Sequence, residues 1–92
     1  MNDKKHHTMV ELRTETAALA QADIDIAAGK ARVAQQKALV ETLEATERDT
    51  EMAVTLLGTL QNALVAMEGH RAFIVARIEQ LRHLGGSGEP TR

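Results

Sequence analysis

Glu41-Thr42-Leu43-Glu44-Ala45-Thr46-Glu47-Arg48-Asp49-Thr50-Glu51-Met52 is the stretch in which the apolar pattern of this chain changes phase. Before it, Leu12, Leu19, Ile26, Val33 and Val40 recur on a strict seven-residue step. Extending that ladder lands on Glu47, Val54, Gln61 and Glu68, so the register is lost. A new ladder then runs through Ala53, Leu60, Met67, Ile74 and Leu81. Seven-residue apolar repeats mark helices that pack side by side. Two such runs of similar length predict two long helices folded back on each other.

Within the break, Ala45 to Asp49 holds no apolar residue larger than alanine, and Asp49 or Thr50 can cap a new helix. Glu51 then sits well against the positive end of the helix dipole. The first helix is expected over 9–45, opened by a capping box at Thr8-Met9-Val10-Glu11. A turn over 46–49 leads to a second helix over 50–84, stopped by Gly85-Gly86. Residues 1–8 read as a flexible polar leader and 85–92 as a flexible Gly-rich tail. Near-equal helices joined by a short polar link predict an all-α, antiparallel two-helix hairpin of coiled-coil type. One unbroken helix of about 77 residues is the competing geometry, since neither glycine nor proline sits in the turn.

The inward stripe of the first helix is Leu12, Glu15, Leu19, Ala22, Ile26, Gly29, Val33, Gln36, Val40 and Leu43. That of the second is Ala53, Leu57, Leu60, Leu64, Met67, Arg71, Ile74, Ile78 and Leu81. Facing positions sum to about 96 in such a hairpin. Met67 is then expected over the backbone notch at Gly29, and Arg71 beside Asp25, with Asp23 nearby. Arg71, His70, Asp25, Asp23 and Gln36 are the polar groups expected to set register in the seam. A single polar position in an apolar seam fixes alignment at some cost in stability.

Each helix also carries a second uncharged face. On the first, Ala17, Ala20, Ile24, Ala27, Ala31, Ala34 and Ala38 follow helical spacing; on the second, Gly58, Asn62, Val65, Gly69, Ala72 and Ala76 do. Small residues let another backbone approach closely. A lone pair of helices buries too little apolar surface to order a chain of this length. A homodimer is therefore expected, forming a four-helix bundle, with an unidentified protein partner as the other occupant. Helix propensity on a solvated surface is the plainer account of the alanines.

The 92 residues allow one small domain, with no Cys, Trp or Tyr and a single aromatic, Phe73. A net charge of −2 argues against nucleic-acid or anionic-membrane binding, which draw on surplus Lys and Arg. With no secretory pattern and no run of about 20 apolar residues, a cytoplasmic location is expected. His6 and His7 are adjacent and cannot share a helix face as a metal pair. His70 reads as a packed histidine bonded to a carboxylate, with a pH switch as the sharper alternative. His83 and Glu79 lack further ligands. Glu47, Asp49 and Glu51 alternate like calcium ligands, but the glycine and terminal glutamate of such a loop are missing. No cofactor, metal or catalytic residue is expected.

The function expected is therefore a non-enzymatic self-association or protein-interaction module. Alternatives are a small-ligand or metal-binding helical bundle around Arg71, His70 and Asp23, and a dimerising subunit of a regulatory complex. A more remote one is a chorismate-mutase-like helical enzyme. Glu11-Leu12-Arg13 and Asp23-Ile24-Asp25-Ile26 are loosely similar to the first helix of that class, while its cationic inward positions are Leu, Ala, Gly and Gln here.

Ala22, Ile26-Ala27-x-Gly29, Val33-x-x-Gln36, Asp49-Thr50, Leu56-Leu57-x-x-Leu60 and Met67-x-x-His70-Arg71 together form a recognisable pattern. Over roughly residues 15–82 it resembles that of small uncharacterised proteins of rhizobia and related alphaproteobacteria. The chain departs from them at the turn, where Glu47-Arg48 stand in place of Gly-His. The resemblance implies a helical hairpin and no particular activity.

Overall fold

The computed structural model describes residues 2–86. Two helices, α1 (Asn2–Ala45) and α2 (Glu51–Gly86), pack against each other as a hairpin, with no strand among the described residues. The chain turns back at the phase break, so the unbroken-helix alternative is excluded. Strong helix formers fill both segments, and no proline occurs within either.

Hydrogen bonding at the turn explains why the chain reverses there. The Arg48 amide donates to the Leu43 carbonyl at 2.8 Å and the Glu47 amide to the Glu44 carbonyl at 3.1 Å. This pair of bonds is a Schellman motif, which closes a helix by putting one residue in the left-handed region. That residue is Glu47, at φ 56°. Two residues on, the Asp49 carboxylate accepts the Glu51 amide at 3.0 Å and caps α2.

The start of α1 differs from expectation. Residues 2–8 belong to α1, so the helix begins ahead of the capping box expected at Thr8. Nothing in residues 2–7 breaks a helix. The Thr8 hydroxyl instead donates back to the Lys4 carbonyl at 3.0 Å, as a threonine inside a helix does. Glu11, freed from capping, reaches α2. At the other end α2 continues through Gly86, and the remainder of the expected tail lies outside the described residues.

The pair divides into two compact units, Met1–Asp23 with His70–Arg92, and Ile24–Gly69. In the first, Ala22, Ile74 and Ile78 form the core, with Leu12, Ala18 and Leu19 packed on it; Ile74 and Leu81 are each 2% exposed. In the second, Ile26, Gly29, Val33, Gln36 and Val40 of α1 are buried, while Leu57, Leu60, Leu64 and Met67 of α2 are half-buried. Met67 Sδ lies 3.4 Å from where a Cβ on Gly29 would stand, which places the expected side chain over the expected notch.

Candidate functional site

In the first unit, Arg71 Nε donates to Asp23 Oδ1 at 2.5 Å. The expected ion pair thus forms with Asp23, where Asp25 was the expected partner. Two residues apart on a helix, these carboxylates project about 200° apart and flank opposite sides of the seam. The pair is open to solvent, with side chains 42% and 53% exposed. His70 is exposed, which corrects the packed histidine expected there.

A second ion pair in this unit was not foreseen. Arg77 Nη2 lies 3.3 Å from Glu11 Oε2, and His7 Nε2 stands 4.0 Å from the same oxygen. The signal was present in the sequence: Arg77 adjoins the stripe residue Ile78 and Glu11 adjoins Leu12. A glutamate three residues after a threonine fits a capping box equally well, so the spacing alone does not assign Glu11 to the seam.

In the second unit Gln36 is buried, and its Nε2 donates to the Ala53 carbonyl at 2.9 Å. A stripe residue named for register therefore grips the first turn of the opposite helix. The bond goes to backbone, which no pairing of side-chain patterns announces.

The residues expected on association faces are open. Ala20, Ala27 and Ala31 of α1 are exposed, as are Gly69, Ala72 and Ala76 of α2, while Gly58 is half-buried. Larger apolar groups stand among or beside them: Ile24 is 62% exposed, Val65 67% and Phe73 70%. Met9, Leu12, Arg13, Thr16, Ala17 and Ala20 line a shallow, mainly apolar trough on α1.

Among the described residues, no three of His, Cys, Asp and Glu are grouped so as to hold a metal ion. No helix there is long and apolar enough to cross a membrane. The seam groups described here bind one another: Arg71 is held by Asp23, Arg77 by Glu11 and Gln36 by backbone. Such contacts align helices. No protein-family model, curated protein or solved structure matches the chain.

Proposed function

We propose that this chain is a non-enzymatic helical module that associates with itself, its hairpin supplying two of the four helices of a bundle. One observation carries the reading. Large apolar side chains on the outer faces of both helices, Ile24, Val65 and Phe73 among them, are more than half exposed. Scattered apolar surface is ordinary, but apolar groups set on helical spacing among small residues suit another helix. The inward polar groups support the same reading, because they are engaged in holding one helix to the other.

Sedimentation velocity on the untagged chain tests this. The expected mass at micromolar concentration is twice the 10.0 kDa of one chain. A single 10.0 kDa species persisting to about 100 μM, a concentration at which only contacts weaker than about 5.5 kcal/mol stay apart, would overturn it.

A further inference from the structure

We propose that two copies of this chain pair antiparallel, the acidic turn of each docking on the basic open end of the other. Glu41 and Glu44 of one copy face the partner's Lys4 and the partner's Lys5, and Met52 packs beside the partner's Leu84. The contact rests on the self-association proposed above and fixes how the copies align.

Charge is unevenly spread along the chain. Residues 41–51, which hold the turn, carry Glu41, Glu44, Glu47, Asp49 and Glu51 against Arg48 alone, a net charge of −4. All five carboxylates are exposed. Residues 2–13 and 77–86 carry five Lys or Arg against three Asp or Glu, a net charge of +2 with histidines neutral. Lys4 and Lys5 are exposed there. Opposite charges on two parts of one surface steer association and fix its register.

The placement of these charges on α1 is the second observation. Lys4 and Lys5 lie at the start of α1, beside the positive pole of the helix dipole. Glu41 and Glu44 lie in its last five residues, beside the negative pole, and no basic residue stands in that last turn. A helix is ordinarily stabilised by the reverse arrangement. Within one chain, both charge pairs therefore oppose their own helix. An antiparallel copy relieves the conflict, because the negative pole of its α1 and the glutamates there approach the lysines.

Each end also offers the apolar half of a contact. Lys4, Lys5, Thr8 and Leu84 line an open trough of about 380 Å³, in which Leu84 is 61% exposed. Beside the turn Met52 is 86% exposed. A flexible, unbranched thioether suits an irregular trough of this kind. Both ends are built from α1 and α2 together, so all four helices take part.

A copy of this chain is the occupant because one chain carries both halves of the contact. The contact is then made twice about a two-fold axis and closes at two chains. A parallel pair would instead set the five-carboxylate turn against its own duplicate.

Two double variants test the charges. Lys4→Glu with Lys5→Glu, and Glu41→Lys with Glu44→Lys, each bring α1 into line with its own dipole, so helical circular dichroism should hold. Each should nonetheless weaken dimerisation at least ten-fold, and a chain carrying all four substitutions should recover most of the loss. The chain has no cysteine, so a Met52→Cys chain mixed with a Leu84→Cys chain should give the mixed disulfide well beyond the share of random pairing. Dimers indifferent to both double variants, or Leu84→Cys chains that link mainly to themselves, overturn this contact and leave self-association standing. A wild-type monomer overturns both.

Discussion

Gln36 of α1 donates its side-chain amide to the backbone carbonyl of Ala53 in the first turn of α2, across 2.9 Å. A carbonyl oxygen has two lone pairs, so Ala53 can accept this bond beside its own helical one. Loss of the donor then leaves no orphaned acceptor. Gln36→Ala is expected to lower stability by about 1–2 kcal/mol, from one hydrogen bond and some lost burial. Gln36→Leu restores the burial and should come within about 1 kcal/mol of wild type. Urea titrations of the two variants measure both differences.

Glu47 closes α1 at φ 56°, a conformation glycine adopts freely and other residues adopt at a penalty. Glu47→Gly is expected to stabilise the fold by about 0.5–1 kcal/mol, raising the melting temperature by several degrees for a domain this small. Glu47→Val should lower it, since a β-branched residue resists the left-handed region. Thermal unfolding followed at the helical minimum reads both directions.

Arg71 and Asp23 form the shortest ion pair among the described residues of their unit, yet both side chains are largely hydrated. Exposed pairs contribute little, because water screens the attraction and two long side chains lose freedom. A double-mutant cycle on Arg71→Ala and Asp23→Ala is expected to give a coupling below about 1 kcal/mol. The coupling should shrink further in 1 M salt. Ile78→Ala, which empties a buried position, should by contrast cost about 2–5 kcal/mol. If the ion pair proved the larger effect, its role in the seam would extend well beyond alignment.

The two-ladder pattern made the hairpin legible because packing in a helical pair repeats every two turns. Every stripe residue from Ala22 to Val40 is buried. The notch at Gly29 under Met67 followed from position alone, since it needs only the right axial level. Arg71's partner required more. Whether Asp23 or Asp25 meets it depends on which flank of the seam a long side chain crosses, and a summed position does not encode that. The Gln36 bond was hidden for a related reason, because its acceptor is backbone and every residue offers one. At Thr8 a hydroxyl suits both a cap and a helix interior, and only the preceding residues decide between them. The uncharged outer stripes were visible in the sequence, and the structure adds that their large apolar members, Ile24 and Val65, are exposed.

Gly29 is buried under Leu64 and Met67, and a Cβ there would stand 3.4 Å from Leu64 Cδ1 and from Met67 Sδ. The neighbours are the ends of two flexible side chains, and methionine adapts readily to a changed gap. A methyl group therefore fits at ordinary contact distance, while alanine favours the helix by about 1 kcal/mol over glycine. Gly29→Ala should be neutral to stabilising by up to about 1 kcal/mol. Gly29→Leu adds three carbons beyond that methyl, where the opposite helix already stands, and should cost about 1–3 kcal/mol through overpacking. Denaturation midpoints of the two variants decide the matter. A Gly29→Ala chain less stable than wild type would mean that the notch tolerates no side chain at all.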